Sequence, residues 1–424
     1  MKIVGLITEY NPFHNGHLYH IHESLRITGA DAALVVMSGD YVQRGTPAIM
    51  PKRLRTEMAL YCGAGAVLEL PVCYATGSAE FFALGAISLL DSLGIVDSVC
   101  FGSECSDLPL LQKIAGLLVD EPEQYREILR HELKLGKSFP AARQTAVVFC
   151  TGDPRCADIL KDPNNILGIE YLKALKKCGS SIRPYTIRRK GAGYHSSQLD
   201  GLYSSASAIR SLLAYSSSSI HTEFAGDDST ELSFSDILNE LGNQVPKKCL
   251  ELLSDFHKIQ YPVYQNDFSL ILKYKLLNKH PKSLVRYMDV SPELAARICT
   301  SLNDFFNYKQ FAGLLKTKEL TQTRINRALL HIMLGIKKDS VSEYMNSGYN
   351  FYARLLGFRK DCSQILTEIS KKSSLPLLTK LAESRELCEL GQRMLRDDIL
   401  ASNLYTSVVI DNYRPAFLYE YKQW

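Results

Sequence analysis

The N-terminal segment of this chain constrains its fold more than any other part of the sequence. A short apolar run, Ile3–Ile7, leads through a proline-bearing turn into His14-Asn-Gly-His17, where a helical pattern begins. A continuous apolar run of this length is typical of a strand buried in a parallel sheet. Because the first N–H groups of the following helix have no helical partner, they favour an anion. The segment therefore predicts a strand, a turn and a helix, with an anion site at the turn.

The residue types at this turn suit a nucleoside triphosphate. His14 and His17 are three residues apart, so they fall on one side of the first helical turn, where imidazole N–H groups can bind phosphates. Gly16 removes a side chain where a phosphate must approach the backbone. Attack on an α-phosphate builds charge on the phosphates, and preorganised donors stabilise that charge. We predict both histidines as catalytic residues; the alternative is a pair of surface or core histidines.

The first half of the chain alternates strands with helices, which predicts an α/β fold with a doubly wound parallel sheet. Polar residues follow three of the strands: Thr8 to His17, Ser38-Gly39-Asp40, and Gly102-Ser103-Glu104. Ligands of such sheets bind at the carboxyl ends of the strands, where these residues would lie. The predicted strands are Ile3–Ile7, Ala32–Met37, Ala66–Leu70, Ser98–Phe101 and Ile182–Ile187.

The composition of the sequence changes after residue 214. Residues 215–230 are rich in serine and acidic residues, which is typical of a linker or a surface loop. Amphipathic helical patterns dominate beyond it, including Thr323–Leu334 and Pro376–Leu400, while the short run Val408–Ile410 could add a strand. We predict a nucleotide-activating domain over residues 1–214, a linker over 215–230 and a mainly helical domain over 231–424.

Composition excludes several classes of protein. With 46% hydrophobic and 22% charged residues, the chain is an ordinary globular protein, and its net charge of +4 is mild. The 11 cysteines form neither a Cys-x-x-Cys pair nor a cluster of zinc spacing, which favours a reducing compartment. We find no signal-peptide pattern and no apolar stretch long enough to span a membrane. We therefore expect a cytoplasmic protein without a membrane partner.

The string from Gly5 to His17 resembles the His-x-Gly-His signature of the adenylyltransferase and cytidylyltransferase superfamily. In its full length it is similar to the bacterial tRNA(Met) cytidine acetate ligase family. The resemblance implies that the segment binds ATP. The residues implicated, besides the two histidines, are Ile7, Thr8, Glu9, Tyr10, Asn11, Pro12, Phe13 and Gly16.

A serine-rich helix start provides a second candidate phosphate site. Hydroxyl residues from Ser204 to Ser207 open a helix with Arg210 in its first turns. Such residues often only cap a helix, but with an arginine they can also bind a β- or γ-phosphate. The segment resembles the second phosphate motif of the superfamily, which implicates Ser205, Ser207 and Arg210.

Smaller features join the site by resemblance. Asn165 resembles the nucleotide-binding asparagine of the family, although a helix N-cap would look the same. Arg188 and Arg189 end a strand and would suit the triphosphate; a solvated basic strand end is the ordinary explanation. Gly102 could let adenine lie on the backbone, or could be a turn glycine. Asp40 could contact the acetyl group or the attacking amine, or could cap the next segment.

A basic stretch in the second half suggests an RNA contact. A helix from about Thr323 would place Arg324, Arg327 and His331 on one face, and serial arginines fit an RNA backbone. A solvated basic helix is the usual meaning of such a face. The segment, however, resembles the Thr-x-x-Arg-Ile-x-Arg stretch of the acetate ligase family, which implies a tRNA-binding role for Arg324, Arg327 and the preceding Lys316 and Lys318.

The resemblance as a whole implies a defined reaction. Acetate would be activated by ATP to acetyl-adenylate, and the acetyl group would pass to N4 of the wobble cytidine of elongator tRNA(Met). Mg²⁺ is expected from the phosphate chemistry, without assignable protein ligands. Two alternatives remain open: a nucleotidyltransferase that makes a cofactor-type dinucleotide, and an RNA-binding protein with a regulatory nucleotide site.

Overall fold

A seven-stranded sheet forms the centre of the molecule. The structure is a computed structural model that describes residues 1–189, 204–215 and 233–415. Two further short strands, β3 and β4, pair as an antiparallel hairpin. The strands are β1 Ile3–Thr8, β2 Ala32–Ser38, β3 Tyr41–Val42, β4 Thr46–Pro47, β5 Ala64–Leu70, β6 Ser98–Ser103, β7 Arg183–Arg188, β8 Ala353–Phe358 and β9 Leu377–Leu378.

Helices cover both faces of this sheet. Successive strand residues point to opposite faces, so Leu34 and Val36 join one apolar core while Val35 and Met37 join the other. The helices are α1 Asn15–Thr28, α2 Lys52–Tyr61, α3 Val72–Ala75, α4 Ala79–Ser92, α5 Leu108–Asp120, α6 Glu123–Lys134, α7 Phe139–Thr151, α8 Arg155–Ile159, α9 Pro163–Cys178, α10 Ala206–Tyr215, α11 Phe234–Leu241, α12 Lys247–Phe256, α13 Ser269–Leu277, α14 Pro281–Leu284, α15 Pro292–Thr300, α16 Tyr308–Leu314, α17 Gln322–Leu334, α18 Lys338–Asn346, α19 Gln364–Lys372 and α20 Glu389–Tyr413.

The strand order confirms the predicted doubly wound fold and defines where a ligand can bind. The order is β7-β6-β1-β2-β5-β8-β9, and the pairs from β7 to β5 are parallel. The chain runs outward from β1 through β2 to β5, then returns to place β6 on the other side of β1. The carboxyl ends of β1 and β6 therefore flank the switch point of the sheet, which is where such folds bind ligands.

The second half of the chain contributes to the same sheet and the same apolar cores as the first half, which its helical patterns do not indicate. β8 pairs antiparallel with β5 and carries β9 beside it, so both extend the central sheet. Buried residues of α11 and α12 share one core with α1 and α2, and those of α20 share the other core with α4. The sheet and its cores thus cross the predicted boundary at residue 231, and residues 216–230 of the predicted linker lie outside the described residues.

Two local predictions near the C-terminus are wrong. Val408–Ile410 is not a strand, because it lies inside α20, where Val408 and Val409 continue a helically spaced buried series. The helix predicted from Pro376 begins only at Glu389, since Leu377 and Leu378 first form β9. In both places tertiary pairing or helical periodicity overrides the local propensity. No helix of the described residues is long and apolar enough to cross a membrane.

Candidate active site

A cavity of about 230 Å³ lies at the switch point of the sheet. Its walls come from the turn after β1, the start of α1, the β3–β4 hairpin, the ends of β6 and β7, and the start of α10. Of the predicted site residues, the structure brings together the following at this cavity: Ile7, Thr8, Glu9, Tyr10, Asn11, His14, Gly16, His17, Gly102, Arg189, Ser205, Ser207 and Arg210.

The two histidines of the His-x-Gly-His turn form a capping box at the start of α1. His14 Nδ1 accepts a hydrogen bond from Gly16 N at 3.0 Å, and His17 Nδ1 accepts one from His14 N at 3.3 Å. An imidazole whose Nδ1 accepts a bond carries its proton on Nε2 when it is neutral. Both rings are therefore set to donate Nε2–H groups, and they stack with centroids 3.8 Å apart.

The imidazoles of this turn are held in the neutral form. Burial, assisted by the charges of Arg189 and Arg210, lowers the pKa of His14 to about 3. Burial also lowers the pKa of His17 well below its usual range, and that of His20 to about 4. His20 Nε2 lies 3.2 Å from the carbonyl oxygen of Cys100, to which a neutral ring can donate. In the absence of a ligand, the positive charge of the cavity therefore comes from its arginines.

Gly16 lines the cavity, where its role in the approach of a phosphate stays a prediction, and the structure gives a further reason for its missing side chain. A Cβ at this position would lie 2.8 Å from Cε1 and 3.0 Å from Nδ1 of His14. The missing side chain thus makes room for the ring of His14. Behind the turn, Phe13 is buried with its ring 4.8 Å from that of Tyr10 and 5.5 Å from that of His17. Phe13 and Pro12 support the cavity from behind, and neither lines it.

The serine-rich start of α10 meets the turn directly. Arg210 donates from Nη1 to the main-chain oxygen of Asn11 at 2.6 Å and from Nη2 to Ser207 Oγ at 3.1 Å. Ser205 Oγ accepts from Ala208 N at 3.0 Å, so this serine caps the helix as well as lining the cavity. Two helix starts thus border one cavity, and the positive ends of both helix dipoles favour an anion there.

Gln244 connects these two helix starts and was not found by sequence reasoning. Its main-chain oxygen accepts from Asn15 N at 2.9 Å, and its side-chain Oε1 accepts from Ser204 N at 3.1 Å. Gln244 and Ser204 are both buried. Because Gln244 lies between α11 and α12, far from both motifs along the chain, no local pattern could have marked it. It positions the two candidate phosphate-binding elements relative to each other.

The opposite wall is aromatic. Phe101 at the end of β6 lies with its ring 5.7 Å from that of Tyr171 on α9, and both line the cavity. A Cβ on Gly168 of α9 would come within 2.5 Å of the Phe101 ring, so the glycine lets the helix pack closely against it. Gly102 follows Phe101 at the cavity wall. An apolar wall beside exposed backbone is suited to a flat base such as adenine.

Asn165 is buried below the cavity, where it organises the loop after β6. Its Oδ1 accepts from the main-chain N of Glu104 at 2.9 Å and of Cys105 at 3.1 Å. The neighbouring Asn164 lines the cavity instead, and its Oδ1 accepts from Arg189 Nη1 at 3.4 Å. Arg188 is exposed and does not line the cavity. Of the two predicted arginines at the end of β7, the structure therefore brings Arg189 to the site.

Asp40 does not line the cavity, contrary to the expected contact with an acetyl group or amine. It is buried, where Oδ1 accepts from Lys52 N at 2.8 Å and Oδ2 from Ser402 Oγ at 2.9 Å. Lys52 Nζ also donates to Glu69 Oε1 at 2.8 Å. This network joins the end of β2 to α2 and α20. These partners use both carboxylate oxygens, and the bond to Lys52 N at the start of α2 agrees with the alternative expectation that Asp40 caps the next segment.

The predicted basic face of α17 is divided between different environments. Arg324 is exposed, as are Lys316 and Lys318 in the preceding segment. Arg327 forms a bidentate ion pair with Asp289, with Nε–Oδ2 2.8 Å and Nη2–Oδ1 3.1 Å. His331 is fully buried, and its Nε2 lies 3.1 Å from the carbonyl oxygen of Thr76. His331 shares a face with Arg327, since its Nδ1 lies 3.6 Å from Asp289 Oδ2, but at His331 this face is buried and cannot contact RNA.

Comparison with known proteins agrees with this geometry. The family described as HIGH Nucleotidyl Transferase matches residues 1–417. A tRNA(Met) cytidine acetate ligase of Caldanaerobacter subterraneus subsp. tengcongensis is 43% identical over 407 residues, which are 96% of this chain and 95% of that protein. The ligase of Acetivibrio thermocellus is 41% identical over 408 residues, 96% and 94% of the two chains. The chain belongs to the tRNA(Met) cytidine acetate ligase family.

Solved structures extend the likeness of this acetate ligase family member to the whole fold. The apo crystal structure of Thermotoga maritima TmcAL superposes with a TM-score of 0.88 at 32% identity, covering 97% of this chain and 96% of that one. TmcAL bound with alpha-thio ATP gives a TM-score of 0.85 at the same identity and coverage.

Proposed function

We propose that this chain is an ATP-dependent ligase that activates acetate as acetyl-adenylate and acetylates N4 of the wobble cytidine of elongator tRNA(Met). The observation that carries the proposal is the cavity at the switch point, where two helix N-termini, neutral imidazole donors, Arg189 and Arg210 converge. The two bacterial relatives, which are named as tRNA(Met) cytidine acetate ligases, support the nature of the acid and of the acceptor. The alpha-thio ATP bound to TmcAL supports ATP as the nucleotide.

The first step would be attack of an acetate oxygen on the α-phosphorus of ATP. A new phosphorus–oxygen bond forms, the bond to the β-phosphate breaks, and pyrophosphate leaves. The Nε2–H groups of His14 and His17 would donate to the phosphate oxygens on which charge increases. Arg189 and Arg210 would neutralise the leaving pyrophosphate as charge-assisted donors. Adenine would lie against the wall formed by Phe101 and Tyr171.

In the proposed reaction, Mg²⁺ would be held by the bound nucleotide rather than by protein side chains. Among the described residues, no group of three or more His, Cys, Asp or Glu side chains could hold a metal ion. Glu9 is the one acidic side chain among the described residues that line the cavity. Mg²⁺ typically keeps several waters and binds through one or two carboxylates plus substrate phosphates. We therefore propose that phosphate oxygens and water would hold the ion, which would neutralise charge on the triphosphate.

The tRNA would be presented from the side of α17. The exposed Arg324, Lys316 and Lys318 offer charge for phosphate contacts, while Arg327 would act through its ion pair with Asp289. The β3–β4 hairpin, which lines the cavity, reaches this helix: a Cβ on Gly45 would lie 2.3 Å from Arg327 N. A nucleotide presented by α17 would thus approach the cavity over the hairpin. We propose the cytoplasm as the place of action.

Two measurements test the proposed function. Acetate should stimulate exchange of labelled pyrophosphate into ATP, and mass spectrometry should detect N4-acetylcytidine in tRNA(Met) incubated with protein, ATP and acetate. Exchange that needs another acceptor would instead favour a dinucleotide-forming nucleotidyltransferase. Absence of exchange with any acid, together with tRNA binding, would favour an RNA-binding protein with a regulatory nucleotide site.

A further inference from the structure

The charges around the cavity are unevenly distributed. Arg189, Arg210 and Arg44 line it at the end of β7, in α10 and on the β3–β4 hairpin, and Glu9, at the end of β1, is the one acidic side chain of the described lining. A carboxylate repels a triphosphate, and at hydrogen-bond distance from a phosphate oxygen it would weaken nucleotide binding. A carboxylate accepts hydrogen bonds but donates none. Glu9 is therefore better suited to accept a hydrogen bond from a substrate donor than to contact the phosphates.

Two hydrogen bonds fix Glu9 in place. Its Oε1 accepts from the main-chain N of Gln43 on the β3–β4 hairpin at 3.0 Å, and its main-chain oxygen accepts from Arg55 Nη1 at 2.6 Å. Within the described chain, Oε2 has no hydrogen-bond partner. Glu9 and Tyr171 both line the cavity, and burial, followed by the charge of Glu9, raises the pKa of that tyrosine. A positioned carboxylate with an open acceptor thus lines the cavity.

The reaction offers one group that matches this acceptor. The exocyclic N4 of cytosine is a two-proton donor, and Glu or Asp side chains are its usual protein partners. Because the lone pair of this amine is delocalised into the ring, it is a weak nucleophile, and removal of a proton assists its attack. We propose that Glu9 accepts a hydrogen bond from the acceptor amine and takes its proton as the amide bond forms. This assignment rests on the function proposed above.

The step balances without a further reactant. The amine nitrogen attacks the carbonyl carbon of acetyl-adenylate, and a carbon–nitrogen bond forms. The bond from that carbon to the phosphate oxygen breaks, and AMP leaves with the electron pair. One N4 proton passes to the Glu9 carboxylate and from there to water. A general base in this position typically contributes ~100- to 10,000-fold to the rate.

The hairpin that holds Glu9 also contacts α17, the helix where we propose tRNA contacts. Gln43, which holds Oε1, lies two residues before Gly45, and Gly45 packs on the backbone of α17 at Asn326 and Arg327. The carboxylate is therefore positioned by a hairpin that also abuts the helix where we propose tRNA contacts. Activation is assigned to the histidines and arginines rather than to Glu9, so substitution of Glu9 should separate the two half-reactions.

The test compares the half-reactions in Glu9→Gln and Glu9→Asp. Acetate-dependent pyrophosphate exchange measures activation, and single-turnover transfer of labelled acetyl from preformed acetyl-adenylate to tRNA measures the second step. Glu9→Gln should lower transfer at least ~100-fold more than exchange. Glu9→Asp should be less affected. Glu57→Gln, an exposed carboxylate on α2, serves as the matched control and should change neither rate.

Other outcomes would overturn the assignment. Equal loss of exchange and transfer in Glu9→Gln would place the carboxylate in activation, as a holder of a cation on the triphosphate, and leave the proposed function standing. Unchanged transfer would remove Glu9 from the reaction. If wild-type protein shows no acetate-dependent exchange, both proposals fail together. If Glu9→Gln does not fold, the wild-type protein provides a second test. Transfer should show a solvent deuterium isotope effect that exchange lacks, and the absence of this effect would refute the role of Glu9 as a general base.

Discussion

Replacement of Gln244 by methionine tests how the two helix starts of the cavity are held relative to each other. Gln244 Oε1 accepts from Ser204 N at 3.1 Å, at the entrance to α10, while its main-chain oxygen holds Asn15 at the start of α1. Methionine keeps the length of the side chain and the main-chain bond. It removes the oxygen acceptor, and Ser204, which is 2% exposed, cannot turn its N–H group to water in place.

The expected magnitude follows from that buried donor. Leaving a buried N–H group without its acceptor costs about 1–3 kcal/mol, equivalent to roughly 5- to 150-fold in an equilibrium constant. The cost arises at the helix start that carries Ser205, Ser207 and Arg210, which we propose to bind the triphosphate. The KM for ATP in acetate-dependent exchange should therefore rise by up to this factor. The KM for acetate should change little, since the acid does not contact α10 in the proposed scheme.

Exchange kinetics at varied ATP and varied acetate, with thermal unfolding of each variant, provide the assay. Asn239→Met, which places the same side chain at an exposed position on α11, is the control for methionine itself. An equal rise of both KM values would indicate general loss of the fold rather than a displaced helix start. A KM for ATP within twofold of the wild-type value, with unchanged stability, would show that Gln244 does not position the phosphate site.

The remaining predictions concern charge and protonation. His14→Ala or His17→Ala should lower acetate-dependent exchange at least ~100-fold, whereas His22→Ala, exposed on the same helix, should not; equal rates would remove the phosphate role. Acetyl-CoA without ATP should not acetylate tRNA, and robust product by mass spectrometry would refute the ligase. Arg324→Ala should weaken tRNA binding and lower the slope of log affinity against log salt concentration by roughly one unit. Arg327→Ala, which removes the ion-pair partner of the Asp289 carboxylate, should also lower the melting temperature. Filter binding at several salt concentrations and thermal melts test both variants, and an unchanged salt slope would show that this helix face contacts only solvent. Burial lowers the pKa of His14 from 6.5 to about 3, so the unfolded chain binds a proton at a higher pH than the folded protein does. The free energy of unfolding should therefore fall as the pH is lowered from about 6.5 to 4, by up to ~1.4 kcal/mol per pH unit for this group. Denaturant titrations in which His14→Ala shows the same dependence of the free energy of unfolding on pH would contradict this.

The parts of the site that the sequence predicted are those built from neighbouring residues. The apolar run of β1, the His-x-Gly-His turn and the start of α1 follow one another along the chain, so strand, turn and capping signals reinforce each other. The start of α10 is likewise a local signal. Convergence of the ends of β1 and β6 followed from the rule that parallel strands end at one edge. Fold class and phosphate-binding elements were therefore predictable.

The parts that were not predictable depend on distant residues. β8 reads Ala-Arg-Leu-Leu-Gly-Phe, without alternation, and becomes a strand because β5 offers an open edge almost 300 residues earlier in the chain. Asp40 and Asn165 have the residue types of a site, but partners on other elements use their polar atoms. Gln244 has no distinctive neighbours at all. In each case the environment that decides the role of the residue is formed only by the tertiary fold.

The protonation of the cavity explains how activation and transfer could share one site. Neutral imidazoles can donate to phosphate oxygens without the strong attraction that a fixed positive charge would exert on the departing pyrophosphate. Charge that must be neutralised is met instead by arginines: Arg189 follows β7, Arg210 lies in α10 and Arg44 lies on the β3–β4 hairpin. The amine acceptor is assigned instead to the carboxylate of Glu9, whose Oε1 is held by the main-chain N–H of Gln43 rather than by an arginine. The cavity therefore offers different groups to the two half-reactions, and the β3–β4 hairpin that holds Glu9 connects the second one to α17.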